Sequence, residues 1–87
     1  MDIEKYIITF KSTHYAIMSE RKLRDYKVEM IPTPREISAS CGLSIMFEVE
    51  DFNEIIKEVK SWEDYEEMLE LYLLNKTTKV AKTVKID

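Results

Sequence analysis

The chain has 87 residues, 45% of them hydrophobic, which suits one folded domain over residues 1–87 and excludes a disordered chain. The single glycine and two prolines exclude collagen-like and low-complexity proteins. The net charge of −4 argues against a nucleic-acid-binding protein. Because no apolar run reaches the roughly 20 residues that cross a bilayer, and residues 1–5 do not resemble a signal peptide, we expect a cytoplasmic protein without membrane contact.

The first third of the chain predicts a strand, a helix and a second strand. Residues 3–10 are β-rich and nearly all apolar, which is typical of a covered strand. Ser12 or Thr13 can cap the helix that follows, in which apolar residues recur at helical spacing as far as residue 26. Alternation over residues 27–31 then predicts a short second strand.

A loop without regular periodicity occupies residues 33–42. Pro32 and Pro34 end the preceding strand, because proline restricts its neighbours and lacks an N–H donor. Loops of this length inside a compact domain are often functional. An apolar strand is predicted to follow over residues 43–49.

The second half predicts helices followed by an edge strand. Asp51 can cap a helix whose apolar stripe continues to residue 73. A Ser-x-x-Asp capping pattern beginning at Ser61 predicts a break, and therefore a third, acidic helix over residues 62–75. The final segment, residues 79–86, alternates and is rich in lysine, which is typical of an edge strand.

This order of elements, β-α-β-β-α(α)-β, predicts an α+β fold. Two split βαβ units of this kind make a ferredoxin-like sandwich, a four-stranded antiparallel sheet with helices on one face. In that topology the third strand lies between the first two. The start of the first helix, residues 12–14, should therefore lie beside the loop that ends at Cys41.

Cys41, the single cysteine, is the candidate reactive residue, and it excludes an internal disulfide. The thiolate is the nucleophilic form of cysteine, and the free N–H groups of a helix start favour it. The predicted topology thus indicates an activated, exposed thiol. The candidate supporting residues lie at the helix start or in the loop: Ser12, Thr13, His14, Arg35, Ser40 and Gly42.

Each supporting residue has a proposed role and an ordinary alternative. Arg35 can add a positive charge, and Gly42 can allow close approach to the sulfur or a positive φ. His14 can hold a proton near Cys41. The alternatives are a solvated arginine, a solvent-facing histidine, and serines that only cap helices and turns. Cys41 itself can be a small buried hydrophobe.

No metal or cofactor is predicted for one chain. Cys41 and His14 are its only cysteine and histidine, whereas structural zinc takes four ligands. Two chains could pool these residues in a dimer, which we consider the weaker hypothesis.

Three stretches of the sequence carry a resemblance to a known family. They are Tyr6-Ile7-Ile8-Thr9-Phe10, the helix start Ser12-Thr13-His14 with Ala16, Glu20 and Leu23, and the run from Ile31 to Ile45. The most specific part is the stretch that opens with Pro34-Arg35 and ends with Cys41-Gly42. Over roughly the first fifty residues the chain resembles the bacterial selenium/sulfur carrier-like family, and the acidic segment after Val49 departs from that family's pattern.

The resemblance implies a small domain that presents one loop cysteine and carries sulfur or selenium as a persulfide or selenosulfide. Cys41 would be the carrying residue, and the partner would be a cysteine desulfurase or a sulfurtransferase-type protein. Such a protein is a carrier more than a turnover enzyme. The alternatives are a non-catalytic protein–protein interaction module and a cysteine redox sensor. The sequence also leaves a homodimer open.

Overall fold

The computed structural model describes residues 3–86, which form one sheet with helices packed on it. A short 3-10 helix, Val49–Asp51, precedes the second α-helix. The strands and α-helices, in chain order, are β1 (Glu4–Phe10), α1 (Thr13–Lys22), β2 (Val28–Pro32), β3 (Leu43–Glu48), α2 (Phe52–Lys60), α3 (Tyr65–Met68), β4 (Leu69–Asn75) and β5 (Val80–Val84). No helix within the described residues is both long and apolar enough to cross a membrane.

The sheet has the strand order β2-β3-β1-β4-β5, and every neighbouring pair is antiparallel. The α+β class is therefore confirmed, and β3 lies between β1 and β2 as predicted. The prediction of four strands is wrong, because the sheet has five.

The additional strand comes from the segment predicted as an acidic helix over residues 62–75. Only the single turn α3 is helical there, and β4 follows it directly. In β4, buried Leu69 and Leu71 alternate with exposed Glu70, a period of two that suits a strand paired with β1. Leu69 also fits a helical stripe with Tyr65 and Tyr72, and the sequence pattern alone did not separate these two interpretations.

The helix ends show which polar residues act as caps. Ser12 is the N-cap of α1, where its side chain accepts a hydrogen bond from the Tyr15 N–H. This helix ends at Lys22, earlier than predicted. The break near residue 61 is confirmed, but Ser61 does not start a new helix: its hydroxyl donates to the Glu58 carbonyl at the end of α2. Asp51 precedes α2 without a side-chain capping bond.

The two faces of the sheet have separate apolar clusters, because neighbouring strand residues point to opposite faces. Ile8 packs on the face that the helices cover, and Ile7 packs on the other, open face. The helices bury mainly apolar side chains against the covered face, at about 25 cal/mol per Å² of apolar surface. The buried helix residues in that cluster are Ala16, Ile55, Ile56, Val59 and Met68.

Candidate functional site at Cys41

The loop before β3 is closed at its base by Thr33. The Thr33 N–H donates to the Gly42 carbonyl at 2.9 Å, and the Thr33 hydroxyl donates to the Cys41 carbonyl at 3.0 Å. Inside the loop, the Ile37 N–H donates to the Pro34 carbonyl at 3.1 Å. These bonds fix the backbone on both sides of the loop and thereby fix the position of Cys41.

The same loop passes from one face of the sheet to the other. Ile37 is buried on the open face, where it packs with Ile7 and Leu74. Cys41 is buried in the cluster on the covered face. Between these two buried side chains, residues 38–40 are exposed. The loop is thus a strap over the end of the sheet, held by one apolar residue on each face.

The Cys41 sulfur lies where α1 and β3 both begin. The Leu43 N–H donates to Cys41 Sγ at 3.3 Å. The Thr13 hydroxyl lies 3.7 Å from the same sulfur, and Thr13 is the first residue of α1. The topology therefore brings the start of the first helix beside the cysteine, as the sequence predicts.

The Cys41 side chain is buried, with only 6% of the residue exposed. The expectation of an exposed thiol is therefore wrong. The reason lies in the chain direction: residue 41 turns toward the covered face just before β3 begins, so its side chain joins the apolar cluster. Its neighbours Ser40 and Gly42 are both exposed, so the backbone around the sulfur is at the surface while the sulfur is not.

The surroundings of Cys41 Sγ suit a sulfur anion. A backbone N–H and a hydroxyl are within hydrogen-bonding reach, and hydrogen bonds to an anion are stronger than bonds between neutral groups. The free N–H groups at the start of α1 add positive potential. The arrangement therefore places two potential hydrogen-bond donors at Cys41 Sγ.

The structure places the other candidate residues apart from the sulfur or without a bond to it. Arg35 and His14 are exposed, and among residues 3–86 neither forms a hydrogen bond with Cys41. The His14 ring instead lies 5.9 Å from the Tyr15 ring. Gly42 does not have a positive φ, and a Cβ atom added there would meet nothing within 4 Å. Gly42 therefore leaves open space next to Cys41 and is not required by a strained turn.

Ser40 lines a small cavity where the loop meets the end of β1 and the start of β4. The cavity has a volume of about 90 Å³. Its lining residues are Thr9, Phe10, Lys11, Ser38, Ala39, Ser40, Leu69 and Glu70. Ser40 thus belongs to the surface next to Cys41, at the junction of the loop with β1 and β4.

The sequence analysis missed two residues that support the site, Thr33 and Ser44. The Ser44 hydroxyl is fully buried and lies 2.7 Å from the Thr33 hydroxyl. Since the single Thr33 hydroxyl proton goes to the Cys41 carbonyl, Ser44 is the donor in this pair. A serine within an otherwise apolar strand was the available signal, because buried hydroxyls need a partner.

The described part of the chain contains no group of three or more His, Cys, Asp or Glu residues arranged to hold a metal ion.

Comparison with known proteins identifies the family. The model of the family described as "Putative Se/S carrier protein-like" matches residues 5–63, which run from β1 past the end of α2. The match extends beyond the first fifty residues on which the resemblance was based. No curated protein and no solved structure matches the chain significantly. Since the match covers more than half of the chain and includes the Cys41 loop, the protein belongs to the Se/S carrier-like family.

Proposed function

We propose that this protein carries sulfur, or selenium in the same way, as a persulfide or selenosulfide on Cys41. The observation that carries the proposal is the position of Cys41 Sγ, 3.3 Å from the Leu43 nitrogen and 3.7 Å from the Thr13 hydroxyl oxygen, at the start of α1. Membership in the Se/S carrier-like family supports it.

Loading is a thiolate displacement in which atoms and electrons balance. The Cys41 thiolate attacks the terminal sulfur of a donor persulfide, R–S–SH. A new S–S bond forms on Cys41 while the donor S–S bond breaks, and its electron pair leaves with the donor thiolate. The proton lost by Cys41 is taken up by that leaving thiolate or by solvent. Unloading is the same displacement by an acceptor thiolate, so neither step needs an added oxidant or reductant.

The surroundings of Cys41 would stabilise its thiolate and would shield a loaded persulfide from solvent. The Leu43 N–H and the Thr13 hydroxyl are placed to bind the sulfur anion left on Cys41 after unloading. Burial slows the access of small solvent thiols to a loaded persulfide. The partner would reach the sulfur from the side of Gly42, where the surface is open.

The donor we propose is a cysteine desulfurase or a sulfurtransferase-type protein, because loading requires a donor that carries a persulfide. We also propose that the fold is an extended ferredoxin-like sandwich. Strands β2-β3-β1-β4, with α1 and α2 as the crossovers, have the order of two interleaved split βαβ units, and β5 adds one edge strand.

The test is the intact mass of the protein after incubation with a cysteine desulfurase and cysteine, with and without reductant. We expect the wild-type protein to gain one sulfur atom that reductant removes. Cys41→Ser should gain none. A wild-type mass that stays unchanged while the desulfurase is active would contradict the proposal.

A second candidate function, a non-catalytic interaction module, is favoured by the burial of Cys41. In that case Cys41 is a core residue, and a Cys41→Ser protein should bind its partners as the wild-type protein does. Unchanged mass in the desulfurase experiment, together with a thiol that alkylates only when the protein unfolds, would support this function.

A further inference from the structure

The first helix has a basic and apolar surface that begins next to the candidate site. A shallow groove of about 420 Å³ runs along α1, and we refer to it as the α1 groove. Its lining residues are His14, Ile17, Met18, Arg21 and Lys22. Ile17 is 44% exposed, and half-buried Met18 lies beside it in the groove. Exposed apolar surface with a polar rim is typical of a site of protein contact.

The charge of the α1 groove is opposite to that of the whole chain. The net charge of the protein is −4, whereas the groove contains Arg21 and Lys22 and no carboxylate. Glu20, the one acidic residue in α1, does not line it. Lys22 lies 5.0 Å from the centre of the Trp62 ring, and Arg21 forms no ion pair with any residue from 3 to 86. The groove thus offers positive charge that the described chain does not neutralise.

The α1 groove lies on the same helix as Thr13, the residue beside Cys41. Thr13, Ile17 and Arg21 are four residues apart, so they follow one stripe of the helix. Since a helix rises 1.5 Å per residue, Arg21 is about 12 Å from Thr13 along the axis. Thr13 in turn contacts the Cys41 sulfur. A chain segment seated on Ile17 and Arg21 would therefore end near that sulfur.

We propose that the α1 groove docks an acidic, partly apolar segment of the protein that exchanges sulfur with Cys41. The inference rests on the proposed function, since it names the chemistry of the carrier's partner. Carboxylates about four residues from the partner's reactive cysteine, a distance of about 12 Å in an extended chain, would pair with Arg21 and Lys22, and an apolar side chain between them would cover Ile17. Complementary charge of this kind raises the rate of encounter and selects the partner.

The test compares two short peptides, each with one cysteine activated as a mixed disulfide with thiopyridine. In one peptide glutamates and a leucine flank the cysteine, and in the other lysines replace the glutamates. Attack by the Cys41 thiolate on the peptide sulfur releases thiopyridone, whose absorbance gives the rate. A neutral dipyridyl disulfide measures the reactivity of Cys41 without docking, and all peptide rates are divided by it.

For the wild-type protein at low salt, we expect the acidic peptide to react about tenfold faster than the basic one, and less so at high salt. Arg21→Glu should bring the two rates together. Ile17→Ser should slow the acidic peptide. Lys57→Glu is the matched control, because it makes the same change of charge at an exposed position on α2, and it should keep the preference.

The outcomes separate the docking inference from the proposed function. Equal rates for the two peptides in the wild-type protein would overturn the docking inference, even if the neutral reagent reacts with Cys41. A loss of preference in Lys57→Glu as large as in Arg21→Glu would overturn it as well, because net charge and not the groove would then be responsible. If the folded protein reacts with none of the three reagents, the proposed function of Cys41 fails instead.

Discussion

At the scale of single residues, the candidate site consists of one sulfur and the few groups that hydrogen-bond to it or to its backbone. The Leu43 N–H is fixed by the start of β3, whereas the Thr13 contribution comes from a side chain and can be removed by mutation. Thr33 and Ser44 act on the backbone of Cys41 and not on its sulfur. The two kinds of support therefore predict different effects, one on reactivity and one on stability.

Thr13→Val removes the hydroxyl near Cys41 Sγ and keeps the shape of the side chain. We expect the rate of Cys41 with a neutral dipyridyl disulfide to fall about fivefold, because one hydrogen bond contributes about 1 kcal/mol. Thr13→Ser retains the hydroxyl and should retain most of the rate. Equal rates in the valine and serine variants would show that this hydroxyl does not act on the sulfur.

Thr33→Val leaves the buried Ser44 hydroxyl without its partner and frees the Cys41 carbonyl. The free energy of unfolding, measured with urea, should fall by about 1 to 3 kcal/mol, the cost of an unsatisfied buried group. In Thr33→Ser both bonds remain, so the loss should be small. A valine variant as stable as the wild-type protein would mean that the two bonds do not hold the loop.

The limits of sequence reasoning about the site are visible in the same residues. Cys41 and its closeness to the start of α1 were predicted, because the order of the first three strands determines which ends meet. The burial of Cys41 was not predicted. The direction in which its side chain points depends on where the strap crosses the end of the sheet, and the sequence does not show this. The partnership of Thr33 with Ser44 links positions 11 apart across that strap, and no local pattern encodes it.

At the scale of elements, the proposed function makes the strap formed by residues 33–42 the segment that would control access to the sulfur. It is held by Ile37, which is 5% exposed, on the open face and by Cys41 on the covered face. A carrier needs this sulfur to reach its partners, so the strap must open without unfolding the sheet. We expect the strap to detach first at Ile37, because moving this side chain off the open face does not disturb the core on the covered face.

Ile37→Ala should therefore speed the alkylation of Cys41 in the folded protein more than its loss of stability explains. Val59→Ala is the matched control: it also truncates a buried aliphatic side chain, at a cost of up to a few kcal/mol, but the residue belongs to α2 and not to the strap. We expect the alkylation rate to rise about tenfold or more in Ile37→Ala and little in Val59→Ala. If both rates instead follow global stability, Cys41 is exposed only by unfolding.

The Glu58 side chain links the end of α2 to the segment that follows α1. Its carboxylate accepts hydrogen bonds from Trp62 Nε1 at 2.8 Å and from the Tyr26 hydroxyl at 3.5 Å. Desolvation and the Glu58 carboxylate together raise the pKa of Tyr26 above its ordinary value of 10.0. Burial and the Glu70 carboxylate likewise raise the pKa of Tyr72.

These two shifts predict the alkaline stability of the protein. The folded state holds each tyrosine proton more tightly than the unfolded chain does, so the stabilisation is complete below about pH 10 and is lost as pH rises through the folded pKa. Glu58→Gln should lower the pKa of Tyr26, and the alkaline loss should become smaller. A tyrosinate absorbance titration measures the pKa. Glu70→Gln is the control that should move Tyr72 and leave Tyr26 unchanged.

Secondary structure was predictable where periodicity and breakers agreed, as in β1, α1 and the proline-bounded loop. It was not predictable in β4, because Leu69 fits both the strand alternation with Leu71 and a helical stripe with Tyr65 and Tyr72. Pairing with β1 on one side and β5 on the other decided the outcome, and this pairing is tertiary. Because this segment was predicted as a helix, the fifth strand of the sheet was not predicted either.

At the scale of the whole molecule, the sheet separates three surfaces with different roles. The covered face holds the core and the Cys41 sulfur, the open face anchors the strap through Ile37, and the outer side of α1 presents the basic groove. The strap connects the first two surfaces, and Thr13 connects the sulfur to the third. In the proposed function, one end of the sheet would therefore bind the partner, receive its sulfur and shield the loaded Cys41 from solvent.

The central claim is that sulfur enters and leaves Cys41 while the protein stays folded. The most direct measurement starts from protein loaded with labelled sulfur, adds a dithiol acceptor under native conditions, and follows the label on the Cys41 peptide by mass spectrometry. We predict that the label leaves Cys41 much faster than the protein unfolds globally, and faster still in Ile37→Ala. A label that leaves only at the rate of global unfolding would contradict the account.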